Sequence, residues 1–453
     1  MQMQASEVSL LFKKLLSILL AAALIPGFSA CSLTSGKNVA PQEELKISYY
    51  NVKYGDNWIK SLTEAYKKQH PNVKITLIGD SHLNSSIVYS LMSGTDEPDI
   101  AFVSQTNWEL WANDGYLTDL TGLYNTVTDD GKSFKDKLQP DLADYGEYKG
   151  VYRVVPWGDG VAGLIYNKKM FDQNGWNVPT TVNELDSLMD NIKYINIAPF
   201  AWSGADMGYW GSAVNGWWTQ YEGVAGMQDY LKMDKPDVYN QSGRLAALVA
   251  FQNVIKDPHN SIEDPEKIDA KTAISNFYSG KAAMMPGGYL TLMETKYKPP
   301  KDFKMLMMRL PAVAGAKQPY TCGALAGNFA FIPSNAKNVK LAKDFLIFMA
   351  SDKALSLFTQ DTGSPAPFTY EAELTPGLDD LALSEAKLWR DSGKVYMYSK
   401  NPVYYNDFLD WPCGGSPLMQ IYAGSETAQQ AFERNYSYAM ANWAAISSKY
   451  NRS

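Results

Sequence analysis

Cysteine and histidine are scarce: the 453-residue chain holds 3 of each. So few cysteines build no disulfide framework, and whether Cys322 and Cys413 are free or paired stays open at this level. His70, His82 and His259 are scattered and form no HExxH pattern, so a zinc hydrolase lacks its ligands. A GxSxG nucleophile turn is missing as well. Gly131-Lys132-Ser133 ends like a phosphate-binding loop, but Thr126 stands where the first glycine belongs. The acid-rich run from Asp257 to Asp269 fails the spacing of a calcium loop and reads as a solvated loop. Nothing therefore implies a metal or a cofactor. The net charge is −7 and Lys and Arg form no cluster, which argues against a nucleic-acid partner. No apolar run reaches the ~20 residues needed to span a bilayer.

Aromatic residues are abundant, with 29 Tyr and 12 Trp. Many fall in stretches with no core periodicity, as expected of flat apolar surfaces offered to a ligand. At the N-terminus, Lys13 and Lys14 precede an apolar run from Leu15 to Ile25, a Pro-Gly break, and then Phe28-Ser29-Ala30-Cys31. A basic start, a short apolar stretch and small residues are the parts of a secretory signal. Small residues directly before a cysteine resemble the lipobox of bacterial lipoproteins, with Phe28 where leucine is usual. That resemblance implies a signal peptide over 1–30 and a diacylated Cys31. It also implies a flexible polar tether over 31–44 and a location on the extracellular face of the cytoplasmic membrane.

Beyond the tether, alternation at Leu45, Ile47 and Tyr49 predicts a strand, followed by a helix carrying Trp58, Ile59, Leu62 and Tyr66. Val73 to Leu77 and Asp99 to Val103 predict two more strands with a helix between them. Strand, helix, strand, helix, strand implies a parallel sheet covered by helices. The pattern restarts after Pro156, where Thr181 and Glu184 form a capping box ahead of an amphipathic helix. No internal repeat or low-complexity segment interrupts it. The expected class is α/β, in two units.

Several ordered segments carry a family likeness: Pro98-Asp99-Ile100 with Trp108, Gly115-Tyr116-Leu117, Asp119 and Leu120; VYRVVPWGDGVAGLIYNKKMFDQNGW with VPTTVNEL; FYSGKAAMMPGGYL; GNFAFIPSNAKNVKLAKDFLIFMAS; and a terminal helix. Together they resemble the extracellular solute-binding proteins, family 1, over about 45 to 447. The resemblance implies a two-lobe periplasmic-binding-protein-like fold, each lobe a sheet flanked by helices, joined by a multi-strand hinge. It also implies the ligand-binding component of an ABC importer, delivering a carbohydrate, typically an oligosaccharide, to permease subunits and acting as a monomer. Crossings are expected near Val155 to Asp159, Met308 to Ala312 and Ala350 to Leu355. These give a first lobe of 45–157 with 311–350 and a second of 158–310 with 351–453.

Ligands of open α/β sheets sit beyond the carboxyl ends of the strands. The residues there are Tyr50, Asn51, Asp80, Gln105, Asn107 and Trp108, then Trp157 and Asp159 at the first crossing. The second lobe contributes Trp202, Trp210, Gly288, Tyr289, Tyr404 and Trp411. Aromatic rings suit the C–H face of a pyranose, and Asp, Asn and Gln suit its rim of hydroxyls. Asp80 and Asp159 could instead cap helices. Two rivals stay open: the same fold with a non-sugar cargo, and a lipid-anchored carbohydrate-active enzyme whose paired carboxylates leave no fixed spacing.

Overall fold

The computed structural model describes residues 43–450 except 105–107, 141, 159, 162, 206, 294–297, 325–327 and 399–416. Its first part runs β1 (Glu43–Tyr50), α1 (Asn51–Tyr54), α2 (Asn57–Gln69), β2 (Val73–Asp80), α3 (Leu83–Ser93), β3 (Ile100–Ser104) and α4 (Trp108–Asn113). Short α5 (Thr121–Tyr124) and α6 (Phe134–Lys137) follow, then the hairpin β4 (Glu147–Tyr148) and β5 (Val151–Tyr152), then β6 (Val155–Pro156). The second part holds β7 (Gly163–Asn167), α7 (Lys168–Asn174), α8 (Val182–Tyr194), β8 (Ala198–Phe200), α9 (Gly208–Leu231), α10 (Ser242–Ile255), α11 (Ala270–Tyr278), β9 (Ala282–Gly287), α12 (Tyr289–Met293), β10 (Met305–Arg309) and β11 (Thr321–Ala324). Then come β12 (Asn328–Phe331), α13 (Val339–Met349), α14 (Asp352–Thr362), α15 (Asp380–Arg390) and β13 (Gly393–Tyr396), with helical Pro417–Tyr422 and Ala428–Tyr450 last.

Two principal sheets result. The first has order β2-β1-β3-β12-β6, with β1, β2 and β3 parallel and β12 antiparallel to both neighbours. The second has order β10-β7-β9-β8. Leu45, Ile47 and Tyr49 are buried as their alternation predicts, and they pack with Trp58, Leu62 and Tyr66 of α2. Trp58 is the centre of an aromatic cluster, its ring 5.2 Å from Phe102 and 5.6 Å from Phe358. Edge-to-face rings of this kind add to the burial itself. The capping box at Thr181 and Glu184 forms as expected and starts α8. Around α9 and α10, Trp210, Trp217, Trp218 and Phe251 build the core of the second sheet's outer layer.

β6 is the last strand of the first sheet before β7 opens the second, and the later segments divide between the sheets at other points than the expected bounds. After β10 the chain stays with the second sheet: Ala312 pairs with Thr181, Gln318 bonds Gln220, and β11 pairs with β13. It returns to the first sheet only with β12, so 311–324 packs with the second half. Conversely, α14 packs on α2, and Ala354, Leu355, Phe358, Ala366 and Phe368 belong to the first sheet's core. The passage back lies at Tyr370, which packs against the cores of both sheets. Apolar periodicity carries no information about which sheet each segment covers.

One buried cation fixes α14 to the first half. The Lys137 side chain is fully buried, with its ammonium 2.7 Å from Asp352, 3.2 Å from Asp130 and 3.7 Å from Asp129. Burial disfavours its charge, but Asp352 and Asp130 outweigh that and raise its pKa. Burial likewise opposes ionisation of Asp130, yet bonds from the Thr128 hydroxyl, the Lys132 amide and Lys137 hold its pKa down to about 2. A carboxyl depressed below its ordinary ~3.9 stabilises the fold above that pH, and the contribution disappears as pH falls toward 2. The raised lysine stabilises below its ordinary ~10.4 and loses this at higher pH. Lys137→Met should therefore cost about 1 to 3 kcal/mol at neutral pH, limited because the more exposed Asp352 and Asp129 rehydrate. Urea unfolding across pH 2 to 7 should show a shallower acid loss in the variant. An unchanged profile would mean that the cluster contributes nothing.

Candidate functional site

The carboxyl ends of the parallel strands of the first sheet face the ends of β7 and β9 in the second. On the first side, β1 delivers Tyr50 and Asn51, both half-buried, and α1 continues to Tyr54. The Asn328 side-chain amide donates to the Tyr54 hydroxyl at 3.2 Å, and the Tyr54 ring lies 5.3 Å from Phe358. That hydroxyl occupies the space a Cβ would need at Gly158, whose φ is +79°, so the first crossing accepts only glycine there. On the second side, Gly163 of β7 is in register with Gly287 of β9, and Gly288 and Tyr289 follow. Two carboxylates of α15 and its N-cap hold Tyr289: Glu385 accepts from its backbone N–H at 2.6 Å, and Asp379 from its hydroxyl at 3.3 Å. Burial, with Asp379 beside it, pushes the phenol well above its ordinary range, so it remains an O–H donor at any physiological pH. Its ring rests on Gly363, the C-cap of α14, where a Cβ would overlap it.

Helices α1 and α12 adjoin at this seam. The structure thus brings together five of the residues expected from sequence: Tyr50 and Asn51 from one sheet, Gly288 and Tyr289 from the other, and Trp157 in the layer beneath. Trp157 is 3% exposed and packed among Trp58, Phe102 and Phe358 at tilted and edge-to-face angles.

Three expected contacts are corrected, and Asp80 has partners within the protein. Trp108 is 1% exposed, its ring packed by Tyr145 and Phe329, because the first turn of α4 points under the sheet and not beyond it. Trp210 lies between Phe200 and Phe251. Trp202 donates from Nε1 to Ser261 Oγ at 2.8 Å and packs on Tyr422. All three rings are committed to cores. Asp80 braces the start of α3: one carboxylate oxygen accepts from the amide of His82, the N-cap residue, at 2.7 Å, the other from the Ser86 hydroxyl at 2.8 Å. These bonds lower its pKa and give both oxygens partners within the protein. Gln105, Asn107, Asp159, Tyr404, Trp411 and Cys31 lie outside the described residues. Periodicity gave no hint of Asp379 and Glu385, which reach the seam from a helix remote in sequence. Gly363 with Pro365, a glycine stop followed by proline, was the one legible sign of a turn there.

An open groove of about 640 Å³ also runs along edge strand β8, lined by Lys193, Asp257, Glu263, Asp264, Glu266 and Tyr422. Its polar groups bond one another, with Lys193 on Asp257 at 2.6 Å and Tyr422 on Glu266 at 2.7 Å. It lies within one half, away from the residues that converge at the seam.

The sequence profile of the bacterial extracellular solute-binding proteins matches residues 51–355. The chain belongs to this family. A multiple sugar-binding protein of Streptococcus mutans is 26% identical over 349 residues, spanning 74% of this chain and 78% of that one. A diacetylchitobiose binding protein of Streptomyces coelicolor is 24% identical over 262 residues, 55% of this chain and 53% of that one. The fold is shared with a probable secreted solute-binding lipoprotein from Streptomyces coelicolor, at TM-score 0.69 and 16% identity over 88% of this chain and 99% of that one. An ABC substrate-binding protein from Listeria monocytogenes, solved with cycloalternan, matches at TM-score 0.64 and 16% identity over 88% and 99%. This chain thus shares its fold with solute-binding proteins of known structure.

Because Trp108 is a core residue, Trp108→Ala should destabilise the protein by about 3 to 5 kcal/mol. Tyr50→Ala, at a half-buried strand end, should cost far less. Urea melts of the two variants check this, and equal costs would return Trp108 to the surface.

Proposed function

We propose that this protein binds an oligosaccharide at the seam between its two sheets and delivers it to the permease of an ABC importer, as a monomer and without chemical change to the sugar. The observation that carries this reading is the meeting of α1 and α12, which sets Tyr50, Asn51 and Tyr54 of one half against Gly288 and Tyr289 of the other. Aromatic faces beside amide and hydroxyl groups are what a pyranose requires. The names of the S. mutans and S. coelicolor relatives support a sugar as cargo.

A ligand that touches both halves binds their closed arrangement better and shifts the population toward it. Maltotriose, raffinose, xylotriose and diacetylchitobiose form a suitable panel. One of them should change tryptophan emission and reduce the radius of gyration in solution scattering, both saturating at the same concentration, and should be recovered intact. Binding with an unchanged scattering profile would confine the ligand to one half. Release of new reducing ends, abolished by one carboxylate substitution, would make the protein an enzyme.

The reading includes a lipid anchor at Cys31, supported by the small residues before it. A diacyl group holds a protein at a membrane where one chain is marginal. Cys31→Ala should move the protein from the membrane to the soluble fraction with sugar binding unchanged. Recovery of the wild type in the soluble fraction without lipid would remove the anchor from the account.

A further inference from the structure

We infer that the turn closing α14, from Asp361 to Ser364, is a subsite of the same ligand site and bonds sugar hydroxyl groups; this rests on the functional reading above. Phe358 of α14 contacts Tyr54 and Trp157, with ring centroids 5.3 and 4.9 Å away. Asp361 lies three residues further along the same helix face. Gly363 is the residue on which the Tyr289 ring rests. The turn therefore lies where the tyrosines of the two halves converge.

Three polar atoms around this point have no hydrogen-bond partner among the described residues. They are the Ser364 hydroxyl, on a residue 0% exposed, the Trp157 indole N–H, on a residue 3% exposed, and one carboxylate oxygen of Asp361. Buried polar groups are nearly always bonded, so an unpaired set in one place needs a reason. Closure of the helix does not supply one. The Gly363 amide already bonds the Thr359 carbonyl, and the Thr362 hydroxyl bonds the Phe358 carbonyl.

The set has a definite chemistry, with an acceptor at Asp361, a donor at Trp157 and a hydroxyl at Ser364 that does either. A cation would suit Asp361 but face the indole N–H, and an anion would suit the N–H but face the carboxylate. A neutral hydroxyl can both donate to Asp361 and accept from Trp157 or Ser364, so the hydroxyl groups of a sugar match the chemistry of all three.

The inference has an unusual signature. Removing an unpaired buried hydroxyl leaves the free protein as stable as before or more so, whereas removing a ligand contact weakens binding. Ser364→Ala should melt at or above the wild type without sugar. For whichever of the four panel sugars the wild type binds, its affinity should fall ~5- to 30-fold, and that of Asp361→Asn similarly. If Ser364→Ala melts lower and binds as tightly as wild type, the hydroxyl serves the fold, through a structural water for instance, and the subsite is wrong. Wild-type affinity in both variants overturns the subsite alone. A wild type that binds none of the four sugars overturns the functional reading and this one with it.

Discussion

Two tyrosines, each seated on a glycine with no room for a side chain, set the geometry of this protein. Tyr54, from the end of the first sheet, closes on Gly158 of the first crossing, and Tyr289, from the second sheet, closes on Gly363 at the end of α14. Each contact joins a residue at a strand end to backbone supplied from far along the chain. A methyl group at either glycine would force the aromatic ring off its seat, and with it the polar groups the ring positions. The adjoining of α1 and α12 depends on both contacts, and so does the combination of Asn51, Tyr289 and the Asp361 to Ser364 turn in one place.

The supporting layers explain how such contacts are held. On the first side, the Trp58 cluster and buried Lys137 fix α14, and so Gly363, to a sheet whose parallel strands β1, β2 and β3 lie far earlier in the chain. On the second side, Asp379 and Glu385 grip Tyr289 by its hydroxyl and its amide. Carboxylates placed this way serve orientation, because each accepts a bond from a group that must not move. The parallel pair β11 and β13 lies between the halves, with Val395 in one core and Tyr396 in another. A ligand drawing the halves together would work against this pair and the crossing at Gly158.

Much of the fold was legible because local signals and global structure agree. Alternation at Leu45, Ile47 and Tyr49 and the capping box at Thr181 and Glu184 each describe what forms. Where the reading failed, the missing information was long-range. Nothing in the periodicity of α14 says that it packs on α2, so its assignment to the second half was wrong. Tryptophans were misread for a related reason. Position after a strand places Trp108 near the ligand end, but the phase of a short helix decides whether its ring points beyond the sheet or beneath it. Tyr50, Asn51, Gly288 and Tyr289 lie at the seam because they end or directly follow strands, where the pleat leaves less freedom.

The central claim is that one ligand engages both halves at the seam, and backbone amide exchange tests it most directly. Adding the sugar that binds should slow exchange in two separate segments at once, Asn51–Tyr54 on the first side and Tyr289–Met293 on the second, with the same concentration dependence. Protection confined to one of these segments, or centred on the groove beside β8, would contradict the account.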